Sequence, residues 1–402
     1  MRISKPFAAL SAATLMLAVL TACGDDDNKG DGSEPKGNVE VPAISASSFT
    51  SDFSAMETLK PLADAGEGMI AVLLPDTTTS ARYVTFDAPY LEQAFKAAGL
   101  NSDDYKIDNA QGSASTMQTQ AEAAITAGAS VLLVDALDSG SGAAIEAAAA
   151  AKGVRVIDYD RLTKGGSDDR VYVSFDNVKV GQLIGEGEVS CIEEWGVTKP
   201  NILVMDGDPT DNNAKLFAEG YNGVLQPKFD SGDYVKVGEP AGTWVPADAQ
   251  TTFAQQYTAH PNINAVITPN DDNANAVIAY LQSKQIQPNT FPTTGQDASI
   301  SGLQNILKGY QCGTVYKPIY LEAQAAAAVA LFMRAGEDVP ADLVNGTTHD
   351  DDADTEVGSS LLTPVWVTAD NMADTVGADG AVDPDELCIA ELADACAAAG
   401  IQ

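Results

Sequence analysis

Five short apolar runs in this chain each stop in a cluster of carboxylates, amides and bases. They are VIDYDR at 156–161, NILVMDGDPTDNN at 201–213, AVITPND at 265–271, TTGQDA at 293–298 and GTVYKP at 313–318. The side chains so placed include Asp160, Arg161, Asp211, Asn213, Asn270, Asp297 and Lys317. Two loop-like segments add rings beside polar groups, Arg82-Tyr83 in PDTTTSARY and Trp244 in AGTWVPA. Carboxylates accept hydrogen bonds, guanidinium and ammonium groups donate them, and aromatic faces stack on C–H surfaces. That chemistry suits a polyhydroxylated ligand in a polar cleft with aromatic walls.

Each group also has a plainer use. Asp160-Arg161 taken alone also reads as an exposed ion pair, which is worth little, but beside the other strand-end polar groups it reads as part of the site. Asp211, Asn213 and Asn270-Asp271 stand where helices begin and fit N-caps. A cap does not explain the run of three polar residues that follows Asp208-Pro209-Thr210. A glycosidase would need one carboxyl of raised pKa among Asp160, Asp211 and Asp297. Arg82, Arg161 and Lys317 are expected to keep those groups ionised, which suits accepting hydroxyls and opposes proton donation. Binding without turnover is the expectation, with no catalytic residue.

The elements that must hold these groups alternate in type. Strands are predicted at 69–74, 130–135, 154–159, 170–175, 201–206, 264–268 and 313–316. Helices are predicted near 87–99, 115–127, 141–152, 178–194, 212–225, 247–259, 273–285, 299–308 and 318–335. Short continuous apolar strands between helices predict an α/β fold with parallel sheets covered on both faces. Ligands in such sheets bind where loops leave the carboxyl ends of the strands, which is where the polar clusters lie. Phe49, Phe53, Met56, Leu59 and Leu62 predict a short helix packed on the first domain.

Bulk properties narrow the function. The 402 residues carry 22 Lys plus Arg against 57 Asp plus Glu, a formal charge of −35. Such a surface repels phosphate and excludes a nucleic-acid binder. No GxxxxGK[ST] occurs, and Gly140-Ser141-Gly142 lacks the third glycine of a dinucleotide fingerprint. There is no CxxC, and His260 and His349 are the only histidines, so no metal site and no cofactor are expected. The acidic run Asp350 to Glu356 lacks the pattern of an EF-hand and reads as a solvated loop.

Residues 1–23 read as an export leader. Arg2 and Lys5 precede a thirteen-residue apolar stretch, Ala8 to Leu20, too short to span a bilayer comfortably. Leu20-Thr21-Ala22-Cys23 reads as a lipobox, with Cys23 lipidated to anchor the mature chain to a membrane. Residues 24–68 are a tether and a short N-terminal extension, and the polar stretch to about 37 cannot bury a core. Cys191, Cys312, Cys388 and Cys396 remain, an even number that predicts two disulfides with three connectivities open. Cys388 and Cys396 share a helix-like stretch. If that helix is unbroken, eight residues span roughly 12 Å, too far for a bridge, and each must pair elsewhere, with Cys191 and Cys312 as candidates.

Beyond these readings, the chain resembles the periplasmic sugar-binding proteins of ABC transporters, the D-xylose-binding and multiple-aldose-binding kinds above all. The likeness runs over about 69–370 and rests on LLPDTTTSARY, VIDYDRL, YVSFDNVKVGQL, GDPTDNNAKLF, TPNDD, TGQDA, GTVYKP and LLTPVWVTADN. It implies a type I fold, two Rossmann-like lobes joined by a three-strand hinge and closing on a monosaccharide. Lobe I would be 69–159 with 318–361, and lobe II 160–317 with 362–402, crossing near 159–160, 316–318 and 361–364. Ligand contacts would come from Arg82, Asp160, Arg161, Asp211, Asn213, Asn270, Asp297 and Lys317, with rings from Tyr83 and Trp244. Xylose-type relatives often carry Trp where this chain has Tyr83, and the cysteine-bearing 376–402 lies outside the common pattern. The function implied is a monomeric, lipid-anchored extracytoplasmic protein that passes an aldose such as D-xylose to an ABC permease. Alternatives are a broad-specificity aldose binder and a sensor beside a chemoreceptor or histidine kinase.

Overall fold

The computed structural model describes residues 42–401. The leader with Cys23 and the tether to about 37 lie outside the described residues. Strands are β1 (Met69–Leu74), β2 (Tyr105–Asn109), β3 (Ala129–Val134), β4 (Arg155–Tyr159), β5 (Val171–Phe175), β6 (Asn201–Val204), β7 (Val235–Gly238), β8 (Ala265–Ile267), β9 (Thr314–Tyr316), β10 (Gly346–Asp350), β11 (Thr355–Leu362) and β12 (Val365–Val367). The helices are α1 (Lys60–Ala65), α2 (Ala88–Ala97), α3 (Ala114–Thr126), α4 (Ser139–Ala150), α5 (Asn177–Glu194), α6 (Asn212–Ser231), α7 (Pro246–Ala259), α8 (Asp271–Ser283), α9 (Ile300–Leu307), α10 (Ile319–Ala335), α11 (Pro384–Leu387) and α12 (Ala393–Ala398).

A seven-stranded sheet runs β10-β11-β5-β4-β3-β1-β2, a three-stranded sheet runs β7-β6-β8, and β12 pairs with β9. Within the larger sheet only β10–β11 is antiparallel. Strands β3, β4, β6 and β8 are buried along nearly their whole length. Helices on both faces cause that, and it explains why these strands read as unbroken apolar runs. At the strand ends, Ser113, Asp138, Asp176, Asp211, Asn270 and Ser299 each accept a backbone N–H at a helix start. Each such cap is worth about 1 kcal/mol and fixes where the loop stops.

Helix α10, IYLEAQAAAAVALFMRA, is buried over almost its full length. Its small side chains let the larger sheet, α2 and the N-terminal extension pack around it. Phe49, Phe53, Met56, Leu59 and Leu62 are all buried in that core; Met56 and Leu59 lie in a 3-10 turn at 54–59, Leu62 in α1 after it, and Phe49 and Phe53 in the segment before it.

Three expectations are corrected. Strand β5 pairs with β4 and β11 in the seven-stranded sheet, so 160–175 does not leave for the second sheet at Asp160, and the crossing follows Phe175. The acidic stretch is not wholly solvated. Asp350 is buried and accepts from Gly165 N at 2.8 Å and Arg170 Nη2 at 2.6 Å, while Asp351, Asp352 and Asp354 are exposed. The C-terminal helix is broken, because α11 stops at Leu387 and Ile389 is extended before α12 begins. That kink brings the Cα atoms of Cys388 and Cys396 to 5.9 Å, and they pair with each other, leaving Cys191 bonded to Cys312.

The two bridges close loops of very different length, 121 and 8 residues. Chain-entropy arithmetic assigns them about 5 and about 2.5 kcal/mol. In urea unfolding, the Cys191→Ser/Cys312→Ser protein should lose clearly more stability than Cys388→Ser/Cys396→Ser. The reverse order would contradict this.

Candidate functional site

The sequence-predicted residues come from seven separate segments and meet at one polar cavity. The loop after β1 brings Arg82 and Tyr83, and the end of β4 brings Asp160 and Arg161. Asp211 and Asn213 follow β6, Trp244 follows β7, Asn270 follows β8, and Lys317 ends β9. Asp297 sits on a loop hydrogen-bonded beside β9. All ten predicted positions line this space, joined by Ser80, Phe217 and Gln296, which sequence reasoning missed.

The capping reading and the cavity reading are both correct for Asp211 and Asn270. Asp211 Oδ1 accepts Asn213 N at 2.8 Å, while its Oδ2 accepts Trp244 Nε1 at 3.0 Å and lies 3.2 Å from Arg161 Nε. Asn270 Oδ1 caps α8 through Asn273 N at 3.0 Å. Gly207 makes room for Trp244, since a Cβ there would run into the indole.

A buried charge network fixes the other wall. Arg82 bonds Asp87 (2.7 Å), Asp160 (2.9 Å) and Glu322 (2.9 Å), all nearly inaccessible to water. Tyr159 OH donates to Asp87 Oδ1 at 2.7 Å. Tyr83 OH accepts from Arg161 Nη2 at 2.9 Å and donates to Asp160 Oδ2 at 3.2 Å, and its ring lies 5.3 and 5.7 Å from the two guanidinium carbons. Arg161 Nε is also 3.3 Å from Asp135, the residue after β3. Lys317 Nζ is 3.6 Å from Asp160 and 3.7 Å from Asp297.

Asp160 and Asp297 hold left-handed backbones, φ 59° and 93°. For a non-glycine residue this is uncommon and costs about 1–3 kcal/mol, so the surroundings must enforce it. At Asp160 the carbonyl oxygen accepts from Ser174 Oγ (2.8 Å), Asn213 Nδ2 (2.9 Å) and Tyr172 OH (3.0 Å). Of these supports Ser174 and Tyr172, with Asp87, Asp135 and Glu322, were not foreseen from the sequence. Asp135 alone carried the signal of the other sites, a carboxylate closing an apolar run.

Burial opposes the charge on Asp160, but Arg82, Lys317 and Arg161 outweigh it and hold its pKa below the ordinary carboxylate value. Asp211 and Asp297 behave otherwise: burial wins over Arg161 and Lys317 respectively, and both pKa values rise. The cations therefore outweigh burial at Asp160, whereas at Asp211 and Asp297 burial outweighs them. Burial pushes Glu322 up to about 8 despite Arg82. Asp297 Oδ1 and Gln296 Oε1 are buried with no hydrogen-bond partner. Buried polar atoms are ordinarily satisfied, so unpaired ones around a cavity mark room for a hydrogen-bonding ligand.

With the geometry in hand, comparisons decide the family. The model for "Periplasmic binding protein domain" matches residues 70–338. The chain belongs to the periplasmic binding protein family. It is 35% identical over 285 residues to a D-xylose-binding periplasmic protein of Escherichia coli, covering 70% of this chain and 82% of that one. It is 30% identical over 342 residues to the multiple sugar-binding periplasmic receptor ChvE of Rhizobium radiobacter, covering 81% and 94%. Among solved structures it resembles an ABC transporter solute-binding protein from Clostridium phytofermentans with bound β-D-glucose, at TM-score 0.70 and 27% identity over 79% of this chain and 99% of that one. This periplasmic binding protein thus has the type I fold, and the family is non-enzymatic. Among the described residues no helix is long and apolar enough to cross a membrane.

Glu322 yields a pH prediction with a definite sign. Its folded pKa, about 8, lies above its ordinary 4.5, so folding favours the protonated acid. The stabilisation is full below 4.5 and is lost as pH rises to about 8. Denaturant unfolding of ligand-free protein should therefore show stability falling between pH 5 and pH 8, and Glu322→Gln should flatten that fall. An unchanged slope in the variant would remove Glu322 from the account.

Proposed function

We propose that this chain is an extracytoplasmic substrate-binding lipoprotein. It captures a monosaccharide, D-xylose or a related aldose, between two closing lobes and delivers it to an ABC import permease. The observation that carries this reading is the cavity itself. Charged donors and acceptors from the strand ends of both the larger and the smaller sheet converge on one space with Tyr83, Trp244 and Phe217 in its wall. A sugar hydroxyl donates and accepts at once. It can therefore meet a carboxylate and a cationic donor together, as at Asp297 beside Lys317 or Asp211 beside Arg161. The names of the relatives, one xylose-binding and one binding multiple sugars, support an aldose as the ligand.

In this reading Arg82, Tyr83, Asp160 and Arg161 belong to the lobe of the larger sheet. Asp211, Asn213, Trp244, Asn270 and Asp297 belong to the lobe of the smaller one, and Lys317 lies at the crossing from β9 to α10. Neither lobe alone completes the donor and acceptor set, so the ligand favours the closed arrangement by its bonds to both. Cys23 would hold the chain at the membrane by its lipid, with the polar stretch to about 37 as the leash. The monomer would present its closed form to the permease.

The test is a thermal-shift and calorimetric panel on protein starting after Cys23, with D-xylose, L-arabinose, D-ribose, D-glucose, D-galactose, D-fructose and myo-inositol. A sugar at ~100 times its dissociation constant should add about 2.7 kcal/mol of stability. Stabilisation by D-xylose alone fixes the substrate, and stabilisation by several aldoses makes the protein a broad-specificity binder. Asp297→Ala or Arg161→Ala should weaken binding by about 100-fold, the order expected for losing one or two charge-assisted hydrogen bonds. No response to any sugar would sink the proposal.

A further inference from the structure

We infer that Asp271 is a positioning residue for the ligand site, one that clamps the two loops carrying Asn270 and Asp297 into one rigid unit. The inference rests on the sugar-binding reading and adds to it a residue outside the cavity wall. Asp271 is the first residue of α8, directly after the cap Asn270, and is 1% exposed. Both of its carboxylate oxygens are occupied. Oδ1 accepts Gln311 Nε2 and Thr314 Oγ1, each at 2.8 Å. Oδ2 accepts Ser299 N at 2.8 Å and Ser299 Oγ at 3.1 Å. Its own backbone N–H donates to Gln296 O at 2.9 Å.

These bonds straddle Asp297. One holds Gln296 immediately before it, and two hold Ser299 two residues after it. Thr314 Oγ1, itself bonded to Asp271, accepts Ala298 N at 3.2 Å. The clamped stretch is strained, with Asp297 at φ 93° and Ala298 at φ 49°. Such backbone persists only where its surroundings over-determine it. Asp271 supplies that constraint from a different strand end, and the same residue begins the helix that Asn270 caps. One carboxylate therefore sets the relative placement of two cavity groups that lie 27 residues apart in sequence.

The space around this carboxylate is fitted to it. A Cβ at Gly295 would collide with Asp271 Oδ1, and a Cβ at Gly302 would collide with Asp271 Oδ2. All four side-chain bonds are donated to Asp271, so both of its oxygens serve as acceptors. An isosteric amide would present N–H to at least one donor. The loop would then relax, and Asp297 Oδ1, buried beside Lys317 without a hydrogen-bond partner, would lose its aim.

Double-mutant calorimetry with D-xylose and D-glucose as probes separates this role from general support of the fold. Asp271→Asn should weaken sugar affinity by about tenfold or more, equivalent to one charge-assisted hydrogen bond. Its sugar-free form should still unfold cooperatively. In an Asp297→Asn background, measured at millimolar sugar, the same change should cost little, because Asp271 acts through Asp297. Asn suits that background because it tolerates the left-handed backbone. Ser299→Ala, which removes one hydroxyl donor, gives a milder second route and should show the same dependence on Asp297. Wild-type affinity in Asp271→Asn, or equal losses in both backgrounds, would overturn the inference. Wild-type protein that binds neither sugar, nor any sugar of the panel, would remove the functional reading and this role with it.

Discussion

Arg82 is a full positive charge with almost no access to water, and it persists only because Asp87, Asp160 and Glu322 surround it. An unpaired buried charge costs several kcal/mol, so these four groups must be held in register by the fold. The rest of the site hangs from that requirement. Asp160 reaches Arg82 from the end of β4 only in a left-handed conformation, which three donors to its carbonyl enforce. Asp160 in turn receives Tyr83 OH, which receives Arg161. Orientation of the wall is thus settled before any ligand arrives. A bound sugar need not order these side chains, and less of its binding energy is spent on entropy.

The same network contains more carboxylates than cations. Asp87, Asp135, Asp160, Asp211, Asp297 and Glu322 face Arg82, Arg161 and Lys317. Burial lifts the pKa of Asp135, Asp211, Asp297 and Glu322, whereas Asp160, beside three cations, stays charged. Acceptors with unsatisfied lone pairs are what this arrangement leaves over. They are the property a polyhydroxyl ligand can use, each hydroxyl donating to a lone pair left free.

Much of this was legible in the sequence. The doubly covered strands announce themselves as unbroken apolar runs, and their polar endings announce the cavity, because an open α/β sheet puts those endings on one edge. Strands β2, β7, β10, β11 and β12 escaped, the first three of them at sheet edges. Edge strands such as Tyr105–Asn109 need not be apolar, and Lys106 and Asp108 there break the pattern. The disulfide pairing was missed because spacing alone could not show the break at Cys388 and Ile389. Asp87 and Glu322 were invisible for a different reason. A carboxylate on a helix reads as solvated, and only the tertiary structure reveals that each points inward at Arg82. Asp271 read as a cap, and its grip on Ser299, Gln311 and Thr314 spans sequence distances no local pattern encodes.

The most direct test of the account is a crystal structure of the protein grown with D-xylose. The account predicts one sugar in the cavity, with hydroxyls within hydrogen-bond distance of Asp160 or Arg161 from the larger sheet and of Asp211 or Asp297 from the smaller. The Arg82 network should be unmoved. A cavity left empty at saturating sugar, or a sugar held by residues of one sheet alone, would contradict it.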